Sequence, residues 1–142
     1  MQKYLNRISG PLLDRIDIHL EVTPVPFREL TSTSAGEKSD VIRARVEKAR
    51  KIQAVRFEGN QGVYCNAQMG SKMLHDVCVL HEEGRQLLKT AMERLGLSAR
   101  AYDRILKVSR TIADLDASED IRTEHLAEAI HYRSLDRDGW AG

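Results

Sequence analysis

Residues 16 to 22 alternate between apolar and polar side chains, and this pattern restricts the fold more than any other feature of the sequence. The apolar positions are Ile16, Ile18, Leu20 and Val22. A period of two with β-branched residues predicts a β-strand, which Pro24 and Pro26 would end because proline cannot donate to a sheet ladder. No second strand pattern follows. We therefore expect a mainly α fold preceded by one orphan strand, whose partner strands lie outside this chain.

The remainder of the chain divides into three parts. Residues 27–38 contain many small polar residues without a period, which predicts a flexible linker. Residues 39–133 carry apolar side chains at helical spacing and are expected to form a helical bundle. Residues 134–142 show no period and are expected to be a frayed tail, although its residue Trp140 could dock. Residues 1–26 would then be the end of a larger domain.

The helical spacing predicts five helices in the bundle. The first begins at Ser39 and is broken by residues 59–62, the next three cover about residues 71–77, 82–95 and 98–115, and the last begins at Thr123. Ser39, Ser98 and Thr123 are the expected N-caps, and Gly96 is expected to end the third helix. The apolar face of the first helix is expected to contain Ile42, Val46, Ala49, Ile52 and the aliphatic stem of Arg56.

Composition and charge exclude several classes of protein. The 142 residues carry 22 Lys plus Arg and 21 Asp plus Glu, a formal net charge of +1. Bulk positive charge therefore cannot by itself hold this chain to nucleic acid. No apolar run is long enough for a membrane span. Two cysteines without C-x-x-C spacing exclude a disulfide scaffold, and a reducing cytoplasm is the expected location.

The helix predicted from Ser98 to Leu115 contains a cation in an unfavourable place. Arg100 lies in the first turn, where a positive charge opposes the helix dipole at a cost of about 0.3–1 kcal/mol. The free N–H groups of a helix N-terminus favour an anion, and an arginine adds a planar set of donors that suits a phosphate. A solvated charged face with one unfavourable residue is the alternative, and the spacing alone leaves it open.

Several segments carry a specific resemblance, in the same order and spacing. Residues 9–18, with the sequence SGPLLDRIDI, resemble the arginine-finger segment of AAA+ ATPases in the branch shared by magnesium chelatase and the MCM helicases. The preceding residues 4–11 are most similar to the magnesium-chelatase-like proteins of the ComM (YifB) type. Residues 97–108 and 110–115 resemble a helix of the lid domain of that group, and residues 121–130 resemble its last lid helix.

The resemblance implies roles for two arginines. Arg15 would be the arginine finger, acting in trans on ATP held by a neighbouring subunit, and Arg100 would be the sensor-2 arginine that contacts ATP phosphate. Residues 1–26 would be the end of the AAA+ core, and residues 39–133 the helical lid. The full-length protein would use ATP and Mg²⁺, assemble as a ring, expected to be a hexamer, and remodel DNA. Whether Arg100 acts in cis or in trans stays open.

The nucleotide-binding motifs themselves do not occur in this sequence. It contains no G-x-x-x-x-G-K-[ST] and no strand that ends in paired acids. The chain alone is therefore expected to be inactive as an ATPase and to hold no cofactor. Two alternatives stay open. The full-length protein could be the motor subunit of a true magnesium chelatase, or the chain could be a helical adaptor that works without nucleotide.

Two further patterns in the sequence have the residue types of binding sites. His75, Cys78 and His81 are spaced as metal ligands on a helix, but Cys78 is followed by Val79 and Leu80 and is better explained as part of the core, so no metal is expected. The predicted first helix carries a run of basic residues that could contact DNA, although such runs are more often solvated.

Overall fold

The computed structural model describes residues 12, 15–20, 22–27 and 36–134. The described helices are α1 (Ser39–Arg56), α2 (Ser71–Val77), α3 (Glu82–Leu95), α4 (Ala99–Leu115) and α5 (Thr123–Ser134), with a short 3-10 turn at Asn66–Gln68. Helix α4 packs against α1, α2, α5 and the 3-10 turn, and α3 packs against α5. The predicted mainly helical fold and its five helices are confirmed. None of the described helices has the length and apolar character that crossing a bilayer requires.

The core of the bundle consists mostly of aliphatic side chains around α4. Ile105 and Leu106 of α4 are almost completely buried, as are Leu74 of α2, Leu88 of α3 and Leu126 of α5. Burying one such side chain stabilises the fold by about 1.5–3 kcal/mol. A single parallel bridge between Leu80 and Ile121 joins the segments that precede α3 and α5. The core therefore fixes α4 in the centre and leaves the first two residues of this helix, Ala99 and Arg100, at the surface.

Local signals place the ends of α3 and α4 where they were predicted. Gly96 follows α3 in the left-handed conformation, with φ of 51°, which glycine adopts at little cost. The backbone N–H of Ala101 donates to Oγ of Ser98 at 3.2 Å, so Ser98 is the N-cap of α4. The expected cap at Ser39 is wrong. Helix α1 begins at Ser39 itself, and its N-cap position is Lys38, whose side chain makes no capping hydrogen bond.

The apolar face predicted for α1 is only partly covered. Ala49 and Gln53 are buried, whereas Ile42 and Val46, which lie on the same side of the helix, are each 40% exposed. The first turns of α1 thus extend past the packed part of the bundle. Apolar spacing identified the face, but spacing does not show how far along the helix a neighbouring element reaches.

The segment predicted as a strand is not a strand in the part that the structure describes. Residues 16–20 and 22–26 have no regular structure. A strand needs a neighbouring strand to receive its hydrogen bonds, and no such neighbour lies beside the described residues of this segment. Instead, residues 16–19 contact α4 and α5. The predicted linker and tail lie largely outside the described residues, as does Trp140.

The two cysteines are expected to differ strongly in reactivity. Cys78 is buried and donates to the backbone oxygen of Leu106, while Cys65 is half-buried. Burial raises the pKa of the Cys78 thiol to about 11, although Arg110 and Arg56 act in the opposite direction. The thiolate is the reactive form. Two units of pKa correspond to about 100-fold less thiolate near pH 8.

This difference can be measured on a Cys65→Ser variant, in which Cys78 is the single thiol. At pH 8, Ellman's reagent should label the folded variant about 100-fold or more slowly than the same variant unfolded in urea. Equal labelling rates in the two states would contradict the buried position of Cys78.

Candidate functional site

A groove with a volume of about 510 Å³ runs along one side of α4. Its basic lining residues are Arg100, Arg104 and Lys107, spaced by about one helical turn on that helix. Ile18 and Tyr132 of α5 also line it, as do three carboxylates, those of Asp17, Asp103 and Glu128. The groove therefore combines a row of cations on α4 with carboxylates and apolar side chains.

Arg100 lies where this groove meets the N-terminus of α4. It is the second residue of the helix and is exposed to solvent, next to the N-cap Ser98. Among the described residues, no carboxylate forms an ion pair with Arg100. Its guanidinium and the positive end of the helix dipole therefore both favour an anion at this end of α4.

The two other cations of the groove already have partners. Arg104 forms an ion pair with Asp17. The ammonium of Lys107 donates to the backbone oxygen of Ala67 at 3.0 Å, which holds the 3-10 turn against α4. The groove therefore presents one accessible cation at its mouth and two engaged cations further along.

Arg15 lies close to this groove in sequence but does not line it. Its side chain is exposed, and its backbone N–H donates to the oxygen of Leu12 at 3.0 Å. Two residues later, Asp17 belongs to the groove wall. The structure thus brings the segment that contains Arg15 to the helix that contains Arg100, but it does not place the two guanidinium groups in one site.

A buried polar network lies at the other end of α4 and was missed in the sequence. The carboxylate of Asp114 is fully buried and accepts hydrogen bonds from Arg56 at 2.5 and 2.7 Å. It also accepts from Asn66 Nδ2 at 2.8 Å and from Arg110 Nε at 3.2 Å. Arg110 donates further to the backbone oxygens of Ser118 and Glu119. The network ties α1, the 3-10 turn and α4 together.

This network corrects the role predicted for Arg56. The residue was expected to contribute its aliphatic stem to an apolar face, but its guanidinium forms a two-point ion pair with Asp114 in the interior. The spacing of Arg110 and Asp114, four residues apart on one helix, could have suggested an ion pair between those two. Nothing in the spacing indicates Arg56 or Asn66 as further partners.

The described residues contain no cluster of three or more His, Cys, Asp or Glu side chains that could hold a metal ion. Cys78 is buried in the core cluster, whereas His81 is exposed and lies 3.7 Å from a carboxylate oxygen of Asp120. The predicted spacing of His75, Cys78 and His81 therefore does not produce a common site.

Comparison with known proteins identifies the family to which the helical region belongs. Residues 36–133, which cover the five helices up to Arg133, match the family described as magnesium chelatase, subunit ChlI C-terminal. The chain belongs to this family. Residues 1–30 match a second family, described as magnesium chelatase, subunit ChlI. The resemblance found in the sequence to magnesium-chelatase-like proteins is confirmed.

The relatives of this ChlI C-terminal region include proteins of the ComM and YifB type. The chain is 45% identical over 138 residues to the competence protein ComM of Haemophilus influenzae and covers 26% of that protein. It is 43% identical over 136 residues to the uncharacterized protein YifB of Escherichia coli, and 41% identical over 137 residues to that of Salmonella typhimurium. In each case the match includes at least 95% of this chain. The chain therefore spans about a quarter of the length of these relatives.

Proposed function

We propose that this chain is the lid portion of a ring-forming AAA+ ATPase, with Arg100 as a phosphate-contacting sensor-2 residue and Arg15 as an arginine finger. The observation that carries the proposal is the position of Arg100, which is exposed at the capped N-terminus of α4 beside an open groove. Membership of the magnesium chelatase family supports the same role.

The placement of Arg100 suits contact with a nucleotide phosphate. A cation in the first helical turn is unfavourable for the helix unless an anion binds there, and a phosphate would be attracted by both the guanidinium and the helix N-terminus. The guanidinium can donate two parallel hydrogen bonds to phosphate oxygens. Bound ATP phosphate would thus offset the unfavourable interaction between Arg100 and the helix dipole.

Arg15 would act on a different nucleotide. Its side chain is exposed, so it could reach ATP held by the next subunit, where an added positive charge stabilises the transition state of phosphoryl transfer. A finger that acts in trans requires a ring of subunits, for which we propose a hexamer. ATP and Mg²⁺ would bind to the nucleotide-binding core of the full-length protein, in the cytoplasm.

The role of Arg100 can be tested by nucleotide binding to the full-length protein. An Arg100→Ala variant loses its contact with the charged phosphate, worth about 1.5–3 kcal/mol in total, so the Kd for ATP should rise about 10- to 150-fold. The Kd should be measured by titration with a fluorescent ATP analogue. An Arg94→Ala variant, which removes an exposed cation from the last turn of α3, should leave the Kd unchanged. Equal affinity of the Arg100→Ala variant and the wild type would exclude the proposed contact.

The work that the ring performs is proposed to be DNA remodelling, in keeping with the similarity to the ComM type. The alternative is the motor of a true magnesium chelatase, which the description of the matched families favours. Stimulation of ATP hydrolysis by DNA would support the first function. Dependence on a porphyrin-binding partner subunit would support the second. Absence of any ATPase activity from the full-length protein would favour a helical adaptor.

A further inference from the structure

We propose that Arg104 and Arg133 are positioning residues that fasten residues 16–19 onto α4 and α5. We call these contacts the clasp. It consists of the ion pair between Asp17 and Arg104, the hydrogen bond from Arg133 to the backbone oxygen of Ile16, and the hydrogen bond from the backbone N–H of His19 to the backbone oxygen of Tyr132. Its consequence is a mechanical connection between the segment of Arg15 and the helix of Arg100.

The side-chain part of the clasp lies at the edge of the groove. In the ion pair, the side chain of Arg104 is 31% exposed and that of Asp17 is 49% exposed. An ion pair with this exposure contributes little stability on its own. Its value lies in its position, because it joins two parts of the chain that are 87 residues apart in sequence.

The backbone part of the clasp is better protected. Arg133 is 1% exposed, and its Nη1 donates to the oxygen of Ile16. The backbone N–H of His19 donates to the oxygen of Tyr132 at 3.0 Å. These contacts involve the main chain on both sides of Asp17. They therefore fix the backbone of the segment, whereas the ion pair alone would fix only the side chain of Asp17.

The clasp links Arg15 and Arg100, the two arginines proposed to contact phosphate, because each of them is close in sequence to one residue of the Asp17–Arg104 ion pair. Arg104 lies one helical turn, about 5.4 Å along the axis, from Arg100. Its partner Asp17 lies two residues after Arg15. A shift of α4 when Arg100 binds a phosphate would therefore move the segment that presents Arg15 to the neighbouring subunit. This coupling rests on the proposed function, whereas the clasp itself does not.

The clasp can be tested on this chain by amide hydrogen exchange, with the N–H of His19 as the reporter. The single variants Asp17→Asn and Arg104→Gln should each accelerate its exchange about two- to fivefold, as expected for loss of a partly exposed ion pair. The double variant Asp17→Arg with Arg104→Asp should restore the wild-type rate. Unchanged exchange in both single variants, or no recovery in the double variant, would overturn the clasp.

Two further variants serve as a negative control and as a test of the buried hydrogen bond of the clasp. Arg85→Gln removes a cation from another exposed ion pair, with Glu82 on α3, and should leave His19 exchange unchanged. Arg133→Met should accelerate it about tenfold, because loss of one hydrogen bond from a charged group costs about 1.5 kcal/mol or more. If Arg133→Met proves unfolded by circular dichroism, the exposed Asp17 and Arg104 variants still decide the question.

The coupling is tested separately in the full-length ATPase. Asp17→Asn should lower kcat several-fold with little change in KM for ATP, and the charge-reversed double variant should recover kcat. No change in kcat would show that the clasp does not position the finger. Failure of the proposed function has a different signature, since Arg15→Ala would then leave kcat intact while His19 exchange still responds to the Asp17 variants.

Discussion

Replacing Arg15 with alanine in the full-length protein is expected to lower kcat for ATP hydrolysis by about 10³- to 10⁵-fold. The Kd for ATP should stay within about twofold of the wild-type value, since an arginine finger acts on the charge that develops in the transition state. Turnover should be measured by phosphate release and affinity by equilibrium titration. Arg15→Lys should recover only part of the activity, because an ammonium group lacks the planar set of donors.

Mixed rings can show that the finger acts on a neighbour. Subunits with Arg15→Ala would retain the nucleotide site of the proposed AAA+ core, whereas subunits that lack the P-loop lysine of that proposed core would retain the finger. Each type alone should be inactive. Mixing them should restore measurable hydrolysis, because some interfaces then combine an intact site with an intact finger. Arg94→Ala, on the outer surface of α3, is the matched control and should retain wild-type turnover. Wild-type kcat in Arg15→Ala rings would refute the finger.

The helices could be predicted from the sequence because their signals are local. Ser98 accepts a hydrogen bond from the backbone N–H of Ala101, only three residues later. Gly96 ends α3 because glycine adopts a positive φ at little cost, whatever its neighbours are. The apolar stripe of α4 includes Ile105, which is fully buried. Arg100 could be recognised as unusual in the same way, from its place within the first turn.

Contacts between distant parts of the chain could not be predicted in this way. Arg56 and Asp114 are 58 residues apart, and no periodicity reports which charged residue of one helix meets which residue of another. The alternation of apolar and polar side chains around Ile18 likewise indicates that this segment has two different faces, but it does not show which helix or strand packs against either face. Helical spacing therefore predicted the bundle and marked Arg100 as an unusual residue, while the buried network and the clasp needed the packed structure.

The buried network makes Asp114 the residue whose loss should damage the fold most. Asp114→Ala is expected to lower the free energy of unfolding by about 3–5 kcal/mol, because it leaves the buried guanidinium of Arg110 and the partly buried guanidinium of Arg56 without their shared carboxylate. Such a loss is a large part of the total free energy of unfolding of a typical domain, which is about 5–15 kcal/mol. Urea denaturation followed by circular dichroism measures the change.

The matched control is Asp116→Ala, two residues further along the chain. Asp116 also pairs with an arginine, Arg122, and lies 3.3 Å from Nε2 of the buried His125, but its own side chain is 51% exposed. Its loss should therefore cost much less than that of Asp114, about 1 kcal/mol. A double variant, Arg56→Met with Asp114→Leu, should cost less than the sum of its two single changes, because it removes both charges of the Arg56–Asp114 pair. If Asp114→Ala were no more destabilising than Asp116→Ala, the network would contribute specificity of packing but no net stability, and the anchoring of α1 to α4 would have to come from apolar contacts alone.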